Sequence, residues 1–92
     1  IEQVFRALSR GAGFVRRSRL EIIYTILSLC RNAGAKKTRI MYQSNLSFNQ
    51  LEKYLETLTS LGLLAKDKGV YRLTEKGNEF LREFQDLKRL LE

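Results

Sequence analysis

The stretch KKTRIMYQSNLSFNQLEKYL, residues 36–55, places a short basic segment directly before a helix start. Ser47, followed three residues later by Gln50, forms a capping box, which predicts a helix that runs to Leu61 and stops at Gly62. At 100° per residue, one face of this helix collects the apolar side chains Phe48, Leu51, Leu55 and Leu58. The opposite face is polar and collects Asn49, Lys53, Thr57 and Ser60, with Gln50 beside them. The pattern predicts an amphipathic helix with a polar outer side.

Two helical segments are predicted before it. SRLEIIYTILSLCRNAG, residues 18–34, has Ser18 as a cap, Glu21 at the third helical position and Gly34 as a stop. Its apolar residues nearly encircle the axis, which indicates a central, buried helix. Thr38 is then predicted to cap a short helical turn through residues 39–42, and Asn45 with Leu46 forms a tight connection.

After the amphipathic helix the sequence predicts a hairpin and a last helix. LLAK and VYRL are two short strand-like segments, joined around Asp67, Lys68 and Gly69. Thr74 is predicted to cap the last helix. Along that helix a coiled-coil seam recurs at spacings of four, three and four, formed by Phe80, Phe84, Leu87 and Leu91. We expect this seam to be a dimer interface, because a core of this size covers it only in part. The alternative is that the helix folds back and buries all four residues in its own domain.

The order helix, short helix, helix, hairpin, helix is that of a winged helix-turn-helix domain. The predicted fold class is therefore mainly α with a small β-hairpin and a C-terminal, coiled-coil-like dimerisation helix. We expect three regions: a basic N-terminal extension at 1–17, the winged helix-turn-helix domain at 18–74, and the dimerisation helix at 75–92. Val4, Phe5 and Leu8 have helical spacing, so the extension is either an added helix on the core or partner, or a disordered basic arm.

The charge of the chain is strongly uneven. The 92 residues carry a net charge of +7, and residues 1–45 hold nine Lys or Arg against two acidic residues, whereas residues 46–92 hold eight of each sign. The whole excess therefore lies in the first half. A basic, polarised chain favours a polyanionic partner, and nucleic acid fits better than an anionic lipid surface.

The predicted fold assigns roles to individual side chains. In a helix-turn-helix the second helix lies in the major groove, so the base-reading candidates are Asn49, Gln50, Lys53 and Thr57. The candidates for the DNA backbone are Arg16, Arg17, Arg19, Lys36, Lys37, Thr38, Arg39 and Ser47. The hairpin adds the wing candidates Lys66, Lys68 and Arg72. For any one of these residues, an ordinary solvated surface position is the alternative.

Three stretches carry a resemblance to a known family. LEIIYTILSLC, KKTRIMYQSNLSF and GVYRLTEKGNEFL resemble the Sulfolobus ten-kilodalton DNA-binding family of small archaeal winged-helix proteins, over about residues 18–84. KTRIMY with NLS is the specific part, whereas LTEKG recurs in many winged-helix regulators. The resemblance implies a homodimer joined by antiparallel C-terminal helices. It also implies binding to double-stranded DNA with modest sequence preference, as a chromatin or regulatory protein. Residues 1–17 have no counterpart in the family pattern.

Other function classes fit the sequence less well. The chain has no His, which argues against an imidazole-based catalytic triad or metal cluster, so we expect neither an enzyme nor a metal site. The sequence also shows no sign of a cofactor or a small-molecule ligand. Cys30 is the only cysteine and no apolar run spans a membrane, which favours a cytoplasmic, nucleoid-associated protein. The main alternative is a winged-helix module that binds another protein and not DNA. Whether a DNA-binding chain acts as a transcriptional regulator or a chromatin-architectural factor stays open.

Overall fold

The computed structural model describes residues 19–91, with the side chain of Leu91 excepted. The described elements are α1 (Arg19–Leu29), β1 (Ala35–Lys36), α2 (Lys37–Ser44), α3 (Phe48–Ser60), β2 (Leu64–Asp67), β3 (Val70–Leu73) and α4 (Glu75–Leu91). The described chain is mainly helical and has a small antiparallel sheet. This composition and the order of the elements confirm the predicted winged-helix class. The predictions for the extension 1–17 and for Ser18 as a cap lie outside the described residues.

Helix α1 is the central helix of the core, as its apolar pattern predicts. Ile22, Ile23, Ile26 and Leu27 are all buried. The predicted stop at Gly34 is wrong, since the helix ends at Leu29. After Leu29 the backbone hydrogen bonds join residues three apart, as in the bond from the Arg31 N–H to the Ser28 carbonyl oxygen. Asn32 then adopts the left-handed conformation with φ of +59°.

Helix α2 is longer than predicted and begins differently. Lys36 occupies the cap position with an extended backbone and makes no side-chain cap hydrogen bond, and Thr38 already lies inside the helix. The predicted Thr38 cap is therefore wrong, because the helix starts one residue before it. Asn45 ends the helix in the left-handed conformation, which confirms the tight connection expected at Asn45 and Leu46.

Helix α3 confirms the predicted capping box. The Ser47 hydroxyl accepts from the Gln50 backbone N–H, and the Gln50 side chain accepts from the Ser47 backbone N–H. Leu51, Leu55 and Leu58 fill the core. Phe48 does not join them: its side chain is 54% exposed, so its predicted place on the buried face is wrong.

The sheet has one strand more than the predicted hairpin. Its order is β1-β3-β2, fully antiparallel, and β1 adds the pairs Ala35 with Tyr71 and Lys36 with Val70. The turn between β2 and β3 is the predicted one, with positive φ at both Lys68 and Gly69, as a two-residue hairpin turn requires.

Helix α4 begins at the predicted cap and packs on α1 and β3. The Thr74 hydroxyl accepts from the Gly77 backbone N–H at 2.9 Å and donates to the Gly62 carbonyl oxygen at 2.6 Å. Phe80 and Phe84 are buried in the core of their own chain, and the Phe84 ring stacks on Tyr24 of α1 with centroids 5.3 Å apart. Beyond them Leu87 is 42% exposed and Leu90 is 83% exposed. The apolar side of α4 thus passes from the core into solvent along its length.

Cys30 packs as a small apolar residue within the core. It is fully buried, and burial raises the pKa of its thiol to about 11. Within residues 19–91, no helix is long and apolar enough to cross a membrane. The same residues contain no group of three or more His, Cys, Asp or Glu side chains arranged to hold a metal ion.

Candidate nucleic-acid interface

The start of α2 combines exposed cations with backbone amides that no cap side chain contacts. Lys36, Thr38 and Arg39 are exposed. Because no side chain caps this helix, its first N–H groups are not used by a cap residue, and a helix N-terminus of this kind attracts anions. The arrangement suits an oxyanion such as a phosphate.

Lys37 differs from its neighbours because it is already paired. Its Nζ lies 2.6 Å from Glu52 Oε1 on α3 and 5.2 Å from the centroid of the Phe48 ring. The hydrogen bond to Glu52 raises the pKa of the Lys37 ammonium above its usual value. This contact joins the start of α2 to the first half of α3. Lys37 is therefore less available to a phosphate than Lys36 or Arg39.

The four base-reading candidates on α3 all have exposed side chains: Asn49, Gln50, Lys53 and Thr57. Asn49 and Lys53 are one helical turn apart on the same side. Gln50 Oε1 accepts a hydrogen bond from the Ser47 backbone N–H at 3.0 Å. The side-chain N–H groups of Gln50 are therefore the ones most available to a partner. Ser47 is exposed, and its hydroxyl accepts from the Gln50 N–H.

Three further exposed side chains are not among the binding candidates predicted from the sequence. Glu56 is exposed and lies three residues after Lys53, so the outward side of α3 carries an acid as well as a cation. The other two exposed side chains are aromatic: Phe48 on α3 and Tyr42 on α2, of which Tyr42 is 76% exposed. The sequence pattern places Phe48 on the buried face of α3, and its exposure becomes visible only in the folded chain.

The three wing candidates are exposed and lie on β2, β3 and the turn between them. The Lys66 Nζ lies 5.7 Å from the centroid of the Tyr71 ring, and Arg72 Nη1 donates to the Ala33 carbonyl oxygen at 3.1 Å. Lys68 stands in the hairpin turn itself. Since Lys36 pairs with Val70 across the sheet, the wing and the start of α2 are adjacent.

The remaining predicted residues are more scattered. Arg16 and Arg17 lie outside the described residues, and Arg19 is exposed at the start of α1. Of the predicted dimer residues, Phe80 and Phe84 pack within the chain, Leu87 is exposed, and the Leu91 side chain is not described. The dimer interface itself stays a prediction.

Comparison with known proteins places this geometry in a family. A family model described as winged helix-turn-helix matches residues 16–92. The chain belongs to the winged helix-turn-helix family. The match covers every element described above, including the three-stranded sheet and α4.

The chain is also similar to individual proteins of archaea. Two uncharacterised proteins of Methanocaldococcus jannaschii are each 36% identical, over 77 and 72 residues. These matches cover 84% and 78% of this chain, and 36% and 74% of the respective relatives. The crystal structure of Sso10a-2, a DNA-binding protein from Sulfolobus solfataricus, matches with a TM-score of 0.64 and 28% identity. That match covers 82% of this chain and 85% of the other, and it confirms the resemblance seen in the sequence.

Proposed function

We propose that this chain binds double-stranded DNA, with α3 in the major groove and the β2–β3 wing along the backbone. The observation that carries the proposal is the exposed polar side of α3, flanked by the cations at the start of α2 and by those of the wing. In a helix-turn-helix these surfaces meet base edges and phosphates respectively. The similarity to Sso10a-2, described as a DNA-binding protein, supports the same assignment.

The proposal extends to a homodimer that acts as a transcriptional regulator or a chromatin-architectural factor. Leu87 and Leu90 leave an apolar strip exposed where α4 runs beyond the core. A two-fold pair is the commonest way to cover such a strip, and it presents two copies of α3 to one duplex. Selection of bound sequences from a random duplex pool separates the two roles, because a regulator enriches a defined site and an architectural protein does not.

The rival function is a module that binds another protein and not DNA. The same exposed leucines favour it, since an apolar strip marks an interaction surface of either kind. It leaves the cations at the start of α2 and on the wing without a role. Affinity for duplex DNA therefore decides between the two classes.

The direct test is the salt dependence of DNA binding. Fluorescence anisotropy with a labelled random-sequence duplex, measured at several salt concentrations, should show log affinity falling linearly with log salt. Replacing Lys36 and Arg39 together with Ala should flatten that slope by about 0.9 for each phosphate that is no longer neutralised. Both side chains are exposed, so we expect the fold to survive.

A matched control comes from α4. Arg82→Ala with Arg89→Ala removes the same charge from exposed positions outside the proposed interface and should leave the slope nearly unchanged. No measurable binding at low salt would exclude DNA as the partner. An equal loss of slope in both double variants would show that only net charge matters, and would contradict the assigned surface.

A further inference from the structure

The first residue of α3 carries an aromatic ring that does not enter the core. Phe48 is 54% exposed, whereas Leu51, Leu55 and Leu58 on the same helix are buried. The apolar contact that often fixes a helix start joins the residue before the cap to the fourth helical residue. Here those positions are Leu46 and Leu51, of which Leu51 lies in the core and Leu46 packs against it. The start of α3 is thus supported without Phe48.

The ring is nevertheless held in place. The Lys37 ammonium lies 5.2 Å from its centroid, a cation–π distance, and Glu52 fixes that ammonium with an ion pair of 2.6 Å. Phe48 is therefore attached to α2 on one side. The ring is otherwise exposed, and Phe48 lies one residue before Asn49 at the N-terminal end of α3, the end at which a recognition helix contacts base edges.

The major groove offers one apolar group to such a ring. Among the edges of the four bases there, only thymine carries a methyl group, at C5, and apolar side chains including Phe are the ones that contact it. The other edges present hydrogen-bond donors and acceptors, for which a phenyl ring has no partner.

We propose that Phe48 is a specificity-determining residue that packs against the C5-methyl group of a thymine in the major groove. The inference deepens the proposed function and rests on it. It adds an apolar contact to the amide and ammonium groups of Asn49, Gln50 and Lys53, and it makes the preference for thymine depend on one side chain.

The test removes the methyl group from the DNA and the ring from the protein. A random-sequence duplex pool is prepared once with thymidine and once with deoxyuridine, which differs from thymidine only by lacking that methyl group. The unmodified protein should bind the thymine pool about fourfold more tightly, the factor expected for burying one methyl group. Phe48→Ala should bind the two pools equally, and should keep the salt slope of the unmodified protein because the phenyl ring neutralises no phosphate.

Tyr42→Ala is the matched control, since it removes an exposed aromatic ring from α2 and should keep the preference for thymine. Circular dichroism during heating checks that each variant is folded. Equal binding of both pools by the unmodified protein would overturn the inference while leaving DNA binding intact. A preference that persists in Phe48→Ala would assign it to duplex shape and would equally overturn the role of Phe48. Absence of binding to either pool would instead contradict the proposed function.

Discussion

At the scale of single residues, Gly77 shows how closely α4 approaches the chain before β2. A Cβ at this position would overlap the Leu63 carbonyl oxygen and would lie 2.7 Å from Leu73 Cδ1. A glycine inside a helix normally costs about 1 kcal/mol relative to Ala, so an Ala would ordinarily stabilise α4. At Gly77 an Ala should instead destabilise the protein, because the atom that its Cβ would meet is the Leu63 carbonyl oxygen, a backbone atom that cannot rotate away.

We therefore expect Gly77→Ala to lower the free energy of unfolding by about 3 kcal/mol, the upper part of the range for overpacked sites. Urea denaturation monitored by circular dichroism measures it. Asn78→Ala is the control, because Asn78 is the next residue of α4 and is exposed. An unchanged or higher stability of Gly77→Ala would show that α4 can shift away from Leu63.

At the scale of elements, Thr74 connects three of them. Thr74 directly follows β3. Its hydroxyl accepts from the Gly77 N–H at the start of α4 and donates to the Gly62 carbonyl oxygen after α3. Thr74→Ala removes a helix cap and leaves a carbonyl without its donor. We expect a loss of about 1 to 2 kcal/mol in the free energy of unfolding.

Thr74→Ser provides the control, since it keeps the hydroxyl and should retain most of the stability. Thermal unfolding of the three proteins compares them directly. If Ser and Ala lower the stability equally, the methyl group of Thr74 is what matters and the two hydrogen bonds contribute little.

The elements that the sequence predicted are those with a local chemical signal. The Ser47 and Gln50 box, the Lys68–Gly69 turn and the Thr74 cap each depend on side chains within a few residues, and all three are confirmed. Strand β1 was missed because two residues show no alternation, and its pairing partner is β3, far along the chain. A strand of this length exists only through tertiary contact.

The candidate site was predictable to a similar extent. Periodicity places Asn49 and Lys53 on the outer side of α3, and the structure agrees. The exposure of Phe48 and the pairing of Lys37 with Glu52 depend on how α2 crosses α3, which no spacing within one helix reveals.

At the scale of the whole molecule, the proposed homodimer rests on the exposed end of α4. Phe84 cannot test it, because it is buried in its own chain and a charge there would unfold a monomer as readily as a dimer. Leu87 and Leu90 are exposed, so replacing both with Glu should give a folded monomer of 10.7 kDa with weakened DNA binding. Light scattering and circular dichroism measure the mass and the fold.

The double variant Arg82→Ala with Arg89→Ala changes the net charge of α4 equally and should stay dimeric. A monomeric mass for the unmodified protein at micromolar and higher concentration would contradict the dimer. If the dimer forms, the two copies of α3 are expected to be about 34 to 36 Å apart, or a multiple of that, to reach successive turns of one duplex.

The strand pairing between β1 and β3 has a mechanical consequence for this binding. Lys36 is joined to Val70 across the sheet and is followed at once by α2, while Lys37 is joined to Glu52 of α3. These contacts connect the wing to both helices of the helix-turn-helix, and we expect such a preorganised surface to lose little conformational entropy on association. We expect a surface of this kind to adjust little to its partner. Under the proposed function the duplex must supply the adjustment, so flexible base steps would be bound in preference to stiff ones even where no side chain touches a base.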